Sequence, residues 1–236
     1  MICRVRVRSA AGAISLIFSA TVLAAPVAVL AAPVAVLAAP PAAAAPATRV
    51  ADVRQLITVE AASGSTTFAT FRAYRIRRGR TVRVFGPWTA RVGYNGVAPP
   101  GKKREGDGRT PSGSYGFSFF FGVRPDHGFL FPFRHAYRYD FWDDDPNSSR
   151  YNEWVNARKH NPGLRPEPMH QVPAYDYAAV ITYNARRVPG LGSAIFLHVG
   201  TGTPTAGCVS LPRSELLRVL RWLRPRDHPR IRISAR

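Results

Sequence analysis

The 236-residue sequence has two cysteines, and only three of its 33 basic residues are lysine (Lys102, Lys103 and Lys159). Acids are few beside the bases: 14 Asp and Glu against 33 Lys and Arg leave a formal charge of +19. The six histidines are scattered, with no His-x-Glu and no Cys-x-x-Cys, which reads against a zinc hydrolase. The one acidic cluster, Asp143-Asp144-Asp145-Pro146-Asn147, fails as a calcium loop because Ser148 stands where an EF-hand needs Gly and Trp154 where it needs Glu. No metal and no cofactor are expected. A membrane span needs about 20 apolar residues without a break. Pro26, Pro33, Pro40, Pro41 and Pro46 interrupt the one apolar tract. With no discrete basic helix and no aromatic stacking motif, the charge does not read as a nucleic-acid interface.

What is there begins with a leader. Arg4, Arg6 and Arg8 precede the apolar stretch Ala10 to Ala25, and Ala, Pro and Val continue to Ala47, the pattern of a secretory signal peptide with a linker behind it. Cleavage after Ala24, Ala31 or Ala47 fits equally. An uncleaved anchor ending near Ala25 is the alternative, and the only expected membrane contact. The heptapeptide Ala25 to Ala31 repeats as Ala32 to Ala38 and reads as low-complexity linker, since two copies bury nothing. Removing residues 1–47 takes three arginines and leaves 189 residues at a formal charge of +16. That is one domain, 48–236, whose charge suits anionic cell-wall polymers better than nucleic acid. Cys3 departs with the leader. Cys208 is then an unpaired thiol in an exported protein, which marks it as reactive.

Along 48–236 the pattern is mostly β with few helices. Strands read from Thr67 to Arg77 and Thr81 to Phe85, with a break at Gly86-Pro87, then Trp88, Ala90 and Val92 alternate with polar residues. Phe117, Phe119, Phe120, Phe121, Phe129, Phe131 and Phe133 read as core, with an aromatic flap over a cleft as the alternative. The Asp143–Asn147 cluster is read as the cap of a helix from Ser149 to Arg158. His160 to Pro173 reads as a loop and Tyr177 to Tyr183 as a buried strand. Beyond Pro212, Leu216, Val219, Leu220 and Leu223 recur at helical spacing, and Ile231 and Ile233 mark a closing strand.

The chemistry converges on Ile195 to Leu211, read as a buried strand delivering His198, a Gly-rich loop, and Cys208 at the start of a helix. A cysteine attacks as thiolate, and an imidazole that takes its proton forms an ion pair with it. His198 is the candidate base. Gly207 lets the backbone approach a substrate, so the N–H groups of Gly207 and Cys208 are candidate oxyanion donors.

Thr205-Ala206-Gly207-Cys208-Val209 downstream of His198, with Pro204 to Leu211 around it, resembles the L,D-transpeptidase (YkuD-type) catalytic domain. Glu105 to Gly113, Glu-Gly-Asp-Gly-Arg-Thr-Pro-Ser-Gly, is similar to a second signature of that family. The resemblance implies a β-sandwich or capped sheet from about Arg54 to Arg236. It also implies acylation of Cys208 by a peptidoglycan stem peptide, loss of the terminal D-Ala, and transfer to an amine of a second stem. His198 would shuttle the proton, oriented by a backbone carbonyl. Thr205, Ala206 and Ser210 fall at substrate-binding positions, where many members carry His in place of Ala206 and Arg or Asn in place of Ser210. Arg109 is the residue of the second signature most able to pair with a substrate carboxylate. Hydrolysis of the same acyl-enzyme, as an L,D-carboxypeptidase or endopeptidase, and non-catalytic wall binding are the alternatives. The expected location is the periplasmic or outer face of a bacterial cell, and the expected state a monomer.

Overall fold

In the computed structural model, which describes residues 53–236, the alternation read in the sequence becomes a long sheet. The expected leader and linker, with Cys3, lie outside the described residues. In chain order come β1 (Gln55–Ala61), β2 (Phe68–Arg77), β3 (Arg80–Arg91), β4 (Val97–Ala98), β5 (Thr110–Pro111), β6 (Gly113–Tyr115), β7 (Phe117–Gly122) and β8 (Phe133–His135). There follow β9 (Asp140–Trp142), β10 (Trp154–Asn156), β11 (Glu167–Pro168), β12 (Ala178–Ile181), β13 (Phe196–Val199), β14 (Val209–Leu211), α1 (Arg213–Trp222) and β15 (Arg230–Ala235). Ten strands form one sheet in the order β6-β15-β1-β2-β3-β14-β13-β12-β7-β8, and β10-β9-β11 form a smaller one. The mostly-β expectation holds, with α1 the single α-helix among the described residues.

Strand alternation sorts the side chains into two cores. Ile57, Val59 and Ile231 from one end of the sheet join Phe120, Ile181 and Leu197 from the other in one apolar cluster, so the sheet curls upon itself. Helix α1 caps that cluster with Leu216, Val219 and Leu220, each at 0% exposure. On the other face Phe121, Ala178, Val180 and Phe196 meet Trp142 and Met169 of the small sheet. Burial of these side chains contributes about 1.5–3 kcal/mol each relative to exposure. Phe120, Phe121, Phe129 and Phe131 are all buried in these cores, which settles the aromatic run as packing.

Three local expectations are corrected. Strand β3 does not break at Gly86-Pro87: Gly86 (φ +82°) lies in a register irregularity, where a Cβ would come within 2.3 Å of the Phe71 carbonyl, and pairing with β2 resumes at Trp88 opposite Phe71. The expected helix over Ser149 to Arg158 is instead a series of turns leading into β10. Its capping residues are engaged in local turns: Asp143 accepts from the Asp145 N–H (3.0 Å) and Asp145 from the Asn147 N–H (2.9 Å). Asn152 is left-handed at φ +59° and its side chain ties Trp142 Nε1 to the backbone at Asn184, a bond set no helix allows. Third, the Gly-rich loop leads into strand β14 before α1 begins at Arg213.

Candidate active site

Strands β13 and β14 run parallel with Leu197 opposite Val209 and His198 opposite Ser210. The period of two therefore puts Leu197, Val199, Val209 and Leu211 into the core under α1, and turns Phe196, His198, Cys208 and Ser210 to the other face. His198 and Cys208 are thus diagonal neighbours on one side of the sheet. Both line a cleft of about 760 Å³.

The loop that presents Cys208 is pinned from behind. Thr205 Oγ1 donates to the Cys208 carbonyl at 2.7 Å and Thr110 Oγ1 to the same oxygen at 3.1 Å. Thr110 in turn accepts from the Gly93 N–H at 2.8 Å. Gly207 has φ +151°, and a Cβ there would stand 3.0 Å from the Arg109 carbonyl. That close approach is the physical reason for a glycine before the thiol.

Cys208 Sγ donates to the Ala194 carbonyl (3.2 Å) and accepts from the Phe196 N–H (3.3 Å). Burial pushes its pKa up to about 12; the Phe196 N–H opposes this, while Glu167 and Asp144 add to it. Burial likewise pushes His198 down to about 4, against the pull of the Val199 and Ala174 carbonyls. Burial thus works against the thiolate–imidazolium pair expected from the sequence and favours the neutral form of each group. His198 Nδ1 lies 2.8 Å from the Val199 carbonyl, a backbone orienting group of the kind the resemblance implies. Nδ1 then carries the hydrogen, and Nε2 is left as an unprotonated acceptor. Tyr175 packs edge-on against the imidazole at 5.5 Å.

Of the expected oxyanion donors, the Gly207 N–H is committed to Thr205 Oγ1 at 3.2 Å. The Cys208 N–H finds no acceptor among the described residues. Thr205 and Ala206 line the cleft, but the Thr205 hydroxyl is spent on the backbone. Ser210, 1% exposed, and Arg109 are not among the lining residues. The Arg109 N–H is held by Asp107 Oδ1 at 2.9 Å, and its carbonyl packs behind Gly207, so the residue supports the loop from outside the cleft.

Opposite the thiol stands an acidic wall that sequence reasoning missed. Ser193 Oγ lies 2.7 Å from Glu105 Oε2 and 2.7 Å from Asp144 Oδ1. One hydroxyl proton cannot serve two carboxylates, so Asp144 supplies the second: it donates to Ser193, which donates to Glu105. Burial, reinforced by Glu105 and Glu167, pushes Asp144 up to about 7, which agrees with that proton count. Tyr151 also donates to Glu105, and Tyr175 donates to Glu167 at 2.9 Å. Lys103, the nearest lysine, is neutralised by Asp107 Oδ1 at 2.6 Å. Glu105 opens the second Gly-rich signature and Asp144 is the middle acid of the triplet, so both were visible but were read as loop and cap. Tyr175 and Ser193 carry no local signal at all.

A family model for the YkuD L,D-transpeptidase catalytic domain matches residues 56–233. No curated protein and no solved structure matches the chain.

Proposed function

The chain belongs to the YkuD family of L,D-transpeptidase catalytic domains, and from that premise we propose that it is an exported, cysteine-dependent transpeptidase acting on peptidoglycan stem peptides. The observation that carries this reading is that Cys208 and His198, on one face of the sheet, line one cleft. Cys208 attacks the carbonyl carbon at the third stem residue as its proton passes to His198 Nε2. The developing oxyanion meets the Cys208 N–H. The C–N bond to the terminal D-Ala then breaks, and His198 returns the proton to the departing amine. A primary amine of a second stem attacks the thioester, the C–S bond breaks, and the amine's surplus proton restores the thiol.

Because burial favours the neutral thiol and imidazole, the ion pair forms only along the reaction coordinate. Substrate that fills the cleft and displaces the Ala194 carbonyl from the thiol proton is what starts the transfer. The acidic wall favours aminolysis over hydrolysis as the fate of the thioester, because Glu105, Asp144 and Glu167 attract an ammonium acceptor into the cleft. The arginine-led apolar stretch Met1 to Ala25 and the positive charge support a reaction outside the membrane, at the wall.

Mass spectrometry of disaccharide-tetrapeptides incubated with the purified protein tests this. Loss of D-Ala with formation of a cross-linked dimer is expected. Tripeptide without dimer makes the enzyme a carboxypeptidase, and unchanged stems leave wall binding alone.

A further inference from the structure

A cavity of about 880 Å³, larger than the cleft that holds the thiol, opens elsewhere on the protein. It lies where the β2–β3 hairpin tip, the start of β1 and the turn after α1 converge, with Arg54, Arg75, Arg77, Arg78, Arg224 and Arg226 on its walls and Asp227 as the sole acid. The fold ties these segments together through the backbone: Ile76 N–H donates to the Arg54 carbonyl at 2.8 Å and Arg54 N–H to the Asp227 carbonyl at 2.9 Å. Of these six arginines, only Arg54 has a carboxylate of the described residues within 4.0 Å, that of Asp227 at the limit itself. A second cavity, about 640 Å³, repeats Arg75, Arg77 and Arg78 and adds Arg80.

This arrangement costs stability. Arg77 stands directly opposite Arg80 across the strands, and like charges so placed repel. Arg78 occupies the left-handed region at φ +48°, followed by Gly79 at φ +74°, a two-residue turn in which Asn or Gly would be the unstrained first residue. Packing explains neither choice, since Arg75, Arg77, Arg78 and Arg80 are all exposed. A bound anion offsets both penalties.

We propose that this tip is a binding site for a linear phosphodiester polymer without bases, distinct from the stem-peptide cleft. All of the cations are arginine, whose planar guanidinium pairs with two oxygens at once. Arginines shared between two cavities suit the tetrahedral phosphate, which offers oxygens to more than one side, better than a planar carboxylate. Arg75 and Arg77 are two residues apart on one strand, about 6.6 Å, within reach of successive phosphates on a flexible chain. Neither cavity has an aromatic in its lining, so the site has no platform on which nucleobases would stack. The site does not rest on the chemistry of Cys208.

Calorimetric titration of the purified protein with synthetic poly(glycerol phosphate), over a salt series, tests it. Arg75→Gln/Arg77→Gln/Arg224→Gln should weaken binding by about tenfold or more and flatten the salt dependence. Arg138→Gln/Arg158→Gln/Arg186→Gln removes the same charge from exposed positions elsewhere and should weaken it by less than about twofold. D-Ala release from soluble stems should be unchanged in the tip variant, which separates failure of this site from failure of the thiol chemistry. If the triple tip variant does not fold by circular dichroism, Arg78→Gly/Arg226→Gln replaces it. Equal losses in the tip and control variants would overturn the proposal. So would tighter binding of polyglutamate, single-stranded DNA or phosphatidylglycerol vesicles than of the polymer.

Discussion

Cys208 is buried to 7% exposure with its proton directed at the Ala194 carbonyl, so its reactivity toward small electrophiles should follow the thiolate fraction of a thiol with a raised pKa. Alkylation of the free protein should rise about tenfold per pH unit from 7 to 9, without a plateau. A plateau beginning near pH 6 would restore the resting ion pair. His198→Ala should leave that rate nearly unchanged while lowering D-Ala release by about 100-fold or more, because proton removal matters only during attack. His198 also sets an acid limb of stability. Its folded-state pKa of about 4 lies below the ordinary 6.5, so the unfolded chain binds the proton first. Stability present above pH 6.5 is therefore lost as pH falls toward 4, by about 3 kcal/mol. Thermal melts across that range should show this loss in the wild type and not in His198→Gln.

The elements around the site divide the work between a fixed loop and a charged wall. Thr110 on β5 and Thr205 in the Gly-rich loop hold one carbonyl between them, so Thr110→Val should lower kcat without exposing the core, an effect that D-Ala release and a melt can separate. Asp144→Asn keeps a hydrogen-bond donor toward Ser193 but cannot ionise, so above pH 7 it withdraws a negative charge that attracts an ammonium acceptor. The ratio of dimer to tripeptide product should fall at least several-fold, with acylation by the donor stem largely kept. Since the folded-state pKa of Asp144 is raised to about 7 from 3.8, the wild type loses the stability of its protonated form as pH rises across that interval. Asp144→Asn should therefore gain in melting temperature from pH 4 to 7 relative to the wild type, and hold that gain above pH 7. A constant difference at all pH values would mean that Asp144 does not hold the proton.

At the scale of the molecule, positive charge and an acidic cleft coexist: a surface suited to polyanions carries a catalytic pocket suited to a cation. The described residues contain no helix long and apolar enough to cross a membrane. If the leader directs export, the protein recovered from the wall or medium should begin at one of the three alanine sites, as N-terminal sequencing would reveal. Full-length chain found only in the cytoplasm would overturn that reading. The same recovered protein should carry a carbapenem adduct on Cys208 after incubation, and His198→Ala should acquire it slowly or not at all.

Sequence alone singled out Cys208 and His198 as candidate nucleophile and base, because a lone thiol after a glycine and a histidine closing an apolar run are local patterns. It determined the mostly-β class, α1 and β15, since period two and period 3.6 are written in neighbouring residues. Tertiary structure decided what depends on distant partners. Whether Cys208 and His198 rest charged is a matter of burial, which no spacing reveals, and the apolar layer of Phe196 and Tyr175 around them favours the neutral pair. Glu105, Asp144 and Ser193 lie 39 and 49 residues apart along the chain, and only the folding of three separate loops onto one cleft makes them share two protons. The helix expected over Ser149 to Arg158 failed for the same reason: Asn152 and Trp154 are claimed by Trp142 and by the small sheet, and tertiary bonds outweigh a helix propensity worth only tenths of a kcal/mol per residue.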